Sequence, residues 1–174
     1  MDKVTLSRAE RLRCPCCGET FTLSDALPVV APPSEPERPA RQGGATLPVT
    51  LVFDGGSIGN PGRGYGSYRL TVRGKDEPPQ RLEFGDNYTN NEAEYDTLLG
   101  ALEAILRRAK DPRRVELEIR GDSQLVINQI NGVWKVKEPR MQARKERVLQ
   151  LLQQLGKWTA TWHPRAKSVK ALGH

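Results

Sequence analysis

Apolar and polar positions fall into a regular pattern only from about Leu47 onward. Residues 47–56, LPVTLVFDGG, form a short apolar run that stops at Asp-Gly-Gly, which predicts a buried strand ending in a loop. GYGSYRLTVRG and QRLEFG predict two more strands on either side of a KDEPP turn. TNNEAEYDTLLGALEAILRRA predicts a helix, with Thr89 or Asn90 as its cap and acids in its first turns. Glu94, Leu98, Ala101 and Ile105 recur at helical spacing, so Glu94 heads the stripe that faces the sheet. Glu92 falls with Asp96, Leu99 and Glu103 on a largely polar face. After the break at Asp111-Pro112, VELEIRGD alternates as a strand that ends at Asp122, and SQLVINQI reads as a short helix. Pro139 opens a further helix with Met141, Val148, Leu151, Leu152 and Leu155 as its apolar positions. KWTATWHP places Trp158, Ala160 and Trp162 on one face of a last strand, and RAKSVKALGH predicts a terminal helix. Three strands followed by helix, strand, helices, strand and helix is an α/β pattern with a mixed sheet.

Ahead of this domain the pattern disappears. Residues 28–46 hold five prolines and a Gly-Gly pair with no hydrophobic period, which reads as an extended, semi-rigid linker. Residues 1–27 carry all three cysteines, between Cys14 and Cys17, too few and too close for a disulfide framework. The organisation expected is therefore an N-terminal extension at 1–27, a linker at 28–46 and a folded domain at 47–174. Hydrophobic residues at 37%, charged residues at 28% and a mean hydropathy of −0.60 describe a soluble chain, with no apolar run long enough for a membrane span. The first residues lack the apolar core of a signal peptide, so a reducing cytoplasm is the expected location. No obligate protein partner is evident.

Charge is unevenly spread. From Ser123 to the end, ten basic residues face two acids, a net of +8, whereas the first 122 residues sum to −2. Such a basic third fits either a polyanion partner or a solvated helix face.

Asp54 ends the first strand of the domain and Asp122 ends the fourth. If both strands run the same way in the middle of one sheet, both carboxylates emerge at one edge, where open α/β sheets place their sites. Glu94 adds a third acid. Three converging carboxylates repel one another unless cations intervene, and Mg²⁺ is a hard cation held by carboxylates and phosphates. Each aspartate alone is equally well explained as a turn or cap residue; the three together are not.

FDGGSIGNPGRGYG, TNNEAEYDTLLGALEAI and RGDSQLVINQINGVWKVK, in this order, resemble the signature segments of type 1 ribonuclease H. The resemblance spans about Leu47 to Arg165. It implies a ribonuclease H-like α/β fold, a five-stranded mixed sheet of three antiparallel strands followed by parallel ones, flanked by helices. It also implies hydrolysis of the RNA strand of RNA–DNA hybrids by two divalent ions, Mg²⁺ or Mn²⁺, leaving 5′-phosphate and 3′-hydroxyl ends. The family's first three acids fall on Asp54, Glu94 and Asp122. Gly55, Gly56, Asn60, Thr89, Asn90, Asn91, Ser123 and Gln124 fall in the segments that contact the hybrid, where amide side chains can test for the 2′-hydroxyl. The glycines, with Gly62 and Gly64, let backbone approach nucleic acid or simply make turns. Trp134, Lys135, Lys137 and Arg140 resemble a phosphate-tracking surface, with Trp134 either stacking on substrate or packing in the core. The segment is short, as in compact members that lack a longer basic protrusion.

The family's fourth acid is missing. Eight residues after Pro164 stands Leu172, a shifted alignment offers Lys170 or Ala171, and no Asp or Glu follows Glu146. His174, through its imidazole or the terminal carboxylate, is the catalytic candidate for that role, and a plain tail is the alternative. Cys14 and Cys17 form a Cys-x-x-Cys knuckle able to give zinc two ligands. A closed zinc site needs four, and the ligand count favours a metal-free knuckle. The functional alternative to an enzyme is a ribonuclease H-like module that binds hybrid or double-stranded nucleic acid without cutting.

Overall fold

The computed structural model describes residues 11–13, 20–22 and 45–173. Two compact units divide the chain, residues 1–42 and 43–174. In the first, strands β1 (Arg11–Arg13) and β2 (Thr20–Thr22) pair antiparallel. Cys14, Cys17, His174 and nearly all of the proline-rich segment lie outside the described residues.

The second unit is built on β3 (Leu47–Gly59), β4 (Gly62–Val72), β5 (Lys75–Asp76), β6 (Gln80–Glu83), α1 (Asn90–Arg108), β7 (Val115–Gly121), α2 (Gln124–Ile130), α3 (Pro139–Leu152), β8 (Lys157–Trp162) and α4 (Arg165–Leu172). The sheet order is β5-β4-β3-β7-β8, with β6 also pairing β4. β3 and β4 are antiparallel, whereas β7 runs parallel to β3, and β8 parallel to β7. The strand expected from QRLEFG is β6, and the KDEPP segment expected only as a turn adds a further two-residue strand, β5, along β4. Pro78 and Pro79 lie between them and have no N–H to continue the ladder.

α1 starts where the sequence expects it. Thr89 is the cap, and Glu92 completes a capping box by accepting from the Thr89 backbone N–H. Its Leu98, Ala101, Leu102 and Ile105 join Leu51, Phe53, Leu117 and Ile119 of the central strands in one buried cluster, to which α3 adds Met141, Val148, Leu151 and Leu152. β7 alternates buried Val115, Leu117 and Ile119 with more exposed residues, the period-two pattern of a sheet face. α4 packs on β3 and β4, with Leu172 only 1% exposed. The result brings Asp54 within β3, the end of β7, the first turn of α1 and the start of α4 together at one edge of the sheet.

Candidate active site

At that edge, Asp54, Glu94 and Asp122 present ligand oxygens that all lie within 4.8 Å of one another. β3 does not stop at the Asp-Gly-Gly expected to end it: pairing with β4 carries the strand on to Gly59, so Asp54 lies inside it, opposite Ser67. Parallel pairing of β3 and β7 puts Phe53 opposite Gly121, so Asp54 stands beside Asp122, the residue that follows β7. Glu94 reaches them because α1 crosses β3 at very close range. A Cβ added to Gly55 would lie 2.6 Å from the Ala93 carbonyl and from the Glu94 nitrogen, so only glycine permits that crossing. The Gly55 N–H in turn hydrogen-bonds the Glu94 carboxylate. The other glycines also have reasons inside the protein: a Cβ on Gly56 would meet the Tyr65 hydroxyl at 2.7 Å, one on Gly64 the Tyr88 ring at 2.7 Å, and one on Gly62 the Ile58 carbonyl.

Glu94 and Asp122 are electrostatically unsettled. Asp54 and Glu94 are 3% and 7% exposed. Burial pushes the Glu94 carboxyl well above its ordinary range, the charges of Asp54 and Asp122 push it further, and the Gly55 N–H and Arg165 oppose the rise. Asp122 is raised by burial and then by Asp54, against Arg165. Glu94 Oε2 and Asp122 Oδ1 are buried without a hydrogen-bond partner. Buried carboxylate oxygens with no donor, converging on one point, are what a divalent cation would satisfy. The donor set fits Mg²⁺ or Mn²⁺: all oxygen, all anionic.

One cation of the chain itself reaches this cluster. Arg165, at the start of α4, places a guanidinium nitrogen 3.5 Å from Asp54 Oδ1 and 3.5 Å from Asp122 Oδ2. The sequence shows Pro164-Arg165 only as part of a recognisable segment, and nothing local signals that the side chain bridges two acids 111 and 43 residues away. His163 is also near. It is 8% exposed, its ring lies 2.7 Å from Ser168 Oγ, and burial lowers its pKa while the charge of Asp122 works the other way. The Trp162 indole donates to the Asp122 carbonyl at 3.0 Å, which anchors the backbone of that acid.

The expected substrate-facing residues fall into two groups. Asn60 and Asn90 meet directly: the Asn90 N–H donates to Asn60 Oδ1 at 3.2 Å, and Asn90 Oδ1 accepts from the Ser57 N–H at 2.9 Å. Asn91 is exposed beside them, while Thr89 caps α1. Ser123 is the cap of α2, its Oγ accepting from the Val126 N–H, and Gln124 is exposed at the first position of that helix. Trp134, Lys135 and Lys137 lie on the loop between α2 and α3. Trp134 is 45% exposed, which rules out its reading as a core residue. The fourth-acid position is not a site residue either: Leu172 is buried and Lys170 is exposed on the same short helix.

Glu92 departs from the sequence expectation. Instead of lying on a polar outer face it is 5% exposed, because α3 packs over it and brings Arg144 and Arg140 to its carboxylate. Burial alone would raise this carboxyl, but hydrogen bonds from Thr89 and the two arginines outweigh it and hold it low.

Comparison with known proteins identifies the family. A family model described as reverse transcriptase-like matches residues 80–172. The ribonuclease HI of Halobacterium salinarum is 37% identical over 145 residues, covering 75% of this chain and 69% of that protein. A bifunctional protein of Mycobacterium tuberculosis, Rv2228c, is 32% identical over 126 residues, and the chain spans only 34% of its length. Among solved structures, RNase H1 of Halobacterium salinarum superposes with a TM-score of 0.64 over 70% of this chain and 89% of that one. LC11-RNase H1, solved in complex with RNA/DNA hybrid, gives 0.65 at 29% identity over the same shares of the two chains. The chain belongs to the type 1 ribonuclease H family. It is thus an enzyme of the ribonuclease H class.

Proposed function

We propose that the chain is an endonuclease that hydrolyses the RNA strand of RNA–DNA hybrids with two divalent ions, leaving 5′-phosphate and 3′-hydroxyl ends. The observation that carries this reading is the cluster of Asp54, Glu94 and Asp122, whose ligand oxygens lie within 4.8 Å of one another and include buried atoms with no donor. The hybrid-bound structural relative supports the substrate class.

Asp54, Glu94 and Asp122 would hold Mg²⁺ or Mn²⁺. Such ions supply activation of the attacking water and stabilisation of the leaving 3′-oxygen. The chain's own residues do the rest. The Gly55 N–H orients the Glu94 carboxylate, and the Trp162 indole fixes the backbone at Asp122. Arg165 keeps Asp54 and Asp122 close by offsetting their mutual repulsion. Asn60, Asn90, Asn91 and Gln124 offer amide donors and acceptors able to test for the 2′-hydroxyl. Lys135, Lys137 and Arg140, with Trp134 exposed among them, form a surface suited to backbone phosphates. In this reading residues 47–174 do the cutting, residues 1–27 and 28–46 are an extension and its linker, and the cysteine usage fits a reducing cytoplasm.

A second reading, a module that grips hybrid without cutting, is favoured by one feature: the buried Leu172 stands where the family carries a fourth acid. A labelled RNA–DNA hybrid incubated with Mg²⁺, Mn²⁺ or EDTA separates the two. Metal-dependent cleavage that Asp122→Asn abolishes supports the endonuclease. Tight hybrid binding without cleavage in either metal supports the module.

A further inference from the structure

We infer that Glu92 is a positioning residue, a buried strut that ties the Thr89–Asn91 turn to α3 and so sets where that turn meets the hybrid. The inference rests on the hybrid-binding reading above and adds a residue to it.

A buried carboxylate is costly unless its oxygens are satisfied, and Glu92 at 5% exposure is satisfied from two directions. Toward the turn, Oε2 accepts from the Thr89 N–H at 3.0 Å and from Thr89 Oγ1 at 2.9 Å. Toward α3, Oε1 lies 3.4 Å from a guanidinium nitrogen of Arg144 and 3.8 Å from one of Arg140. Capping a helix needs only the first set. The second set is a tertiary link, and Arg144 makes it rigid. Its guanidinium grips Asp96 through two bonds of 2.9 and 3.1 Å and sits 5.9 Å from the centre of the Tyr88 ring.

The opposite side of the same turn is pinned to the β3–β4 hairpin. Tyr88 exchanges two backbone hydrogen bonds with Gly62, at 2.7 and 2.8 Å. Asn90 is held between the Ser57 N–H and the Asn60 side chain. Asn90 and Asn91, the exposed amides of the turn, are therefore held between the hairpin and α3, with Glu92 the contact on the α3 side. α3 follows directly on the loop that carries Trp134, Lys135 and Lys137, and Arg140, 68% exposed, lies in its first turn. The Glu92–Arg144 contact thus fixes the spacing between the amide turn and the basic surface, two places where one duplex would have to fit at once.

The test compares Glu92→Gln, Glu92→Ala, Arg144→Met and the Glu92→Gln/Arg144→Met pair. Glu103→Gln, another acid of α1 paired to arginines but only half-buried, is the control. Steady-state cleavage of hybrid is read together with amide exchange of Ser57 and Asn90, which requires no substrate. Glu92→Gln retains an oxygen for the Thr89 cap but loses its charge, so KM for hybrid should rise about threefold to tenfold with kcat within about twofold. Glu92→Ala should also speed exchange at Ser57 and Asn90 by about tenfold or more, with Leu51 and Ile119 unchanged. The double variant should be little worse than Arg144→Met alone, because the Glu92–Arg144 contact is already broken in that variant. Wild-type KM together with wild-type exchange in the Glu92 variants would overturn the inference, as would a fall in kcat alone, since that would place Glu92 with Glu94 and not with the turn. If Glu92→Ala fails to fold, Glu92→Gln and Arg144→Met decide the matter. Failure of the wild type to bind or cut hybrid would remove that substrate from both readings, and unchanged exchange in the variants would separately refute the strut.

Discussion

Replacing Gly55 by alanine adds one methyl group at a place where β3 and α1 lie very close together. The new Cβ would stand 2.6 Å from Ala93 C, Ala93 O and Glu94 N, all backbone atoms of a helix. Ordinary carbon contacts sit at about 3.5–4.0 Å. No rotamer change can relieve a clash with backbone, so α1 must retreat from β3 by about 1 Å. Glu94 would move with it, away from Asp54 and Asp122, and would loosen the hydrogen bond that the Gly55 N–H gives its carboxylate. Overpacking of this kind costs about 1–3 kcal/mol of stability. A 1 Å displacement of a catalytic group costs about 10²-fold in rate, or about 2.7 kcal/mol of barrier. Single-turnover cleavage of hybrid at saturating metal, measured well below the melting temperature, would read the second loss free of the first. Gly85→Ala is the control, because its added Cβ meets nothing within 4 Å. Gly55→Ala turnover within about threefold of wild type, with an unchanged melting temperature, would refute the claim that this contact sets the geometry of the acids.

Other outcomes follow from the same site. Asp54→Asn and Asp122→Asn should each lose most cleavage while melting normally, and near wild-type turnover in Asp122→Asn would displace the assigned centre. The Glu94 carboxyl titrates above its ordinary value of 4.5, so what this group adds to stability is intact below that value and is lost as pH rises through the folded-state value. In EDTA, Glu94→Gln should therefore melt higher than wild type at neutral pH, with the gap closing toward pH 4.5; a gap that widens on acidification would contradict the sign. Lys135→Ala and Lys137→Ala should each reduce the salt dependence of hybrid affinity by about 0.7–0.9 in log–log slope, and an unchanged slope would turn that loop away from the phosphates. Arg165→Met should bind Mn²⁺ more tightly in calorimetry, because the guanidinium competes for the same two carboxylates, and unaltered affinity would remove it from the centre.

Much of the fold could be read from the chain alone, because the signals are local. The Thr89 cap of α1, the alternation of β7, the stripe headed by Glu94 and the aspartate that follows β7 each express a backbone period of two or 3.6 or a short-range stop signal. Three acids on separate elements were enough to suggest the candidate centre, although the Asp-Gly-Gly expected to stop β3 lies inside it, because pairing with β4 carries that strand on to Gly59. Periodicity shows which face a residue occupies but not what comes to cover that face. Glu92 lies where helical spacing predicts a polar surface, and only the arrival of α3, with Arg144 52 residues further on, makes it a buried strut. The same holds for Arg165, whose partners lie 111 and 43 residues back, and for Trp134, whose exposure no local pattern could decide. The glycine at position 55 is legible as a glycine, but its reason is the backbone of α1, which sequence distance hides. Local periods set the elements; long-range packing chose which charges ended up buried together, because burial depends on neighbours that only chain closure supplies.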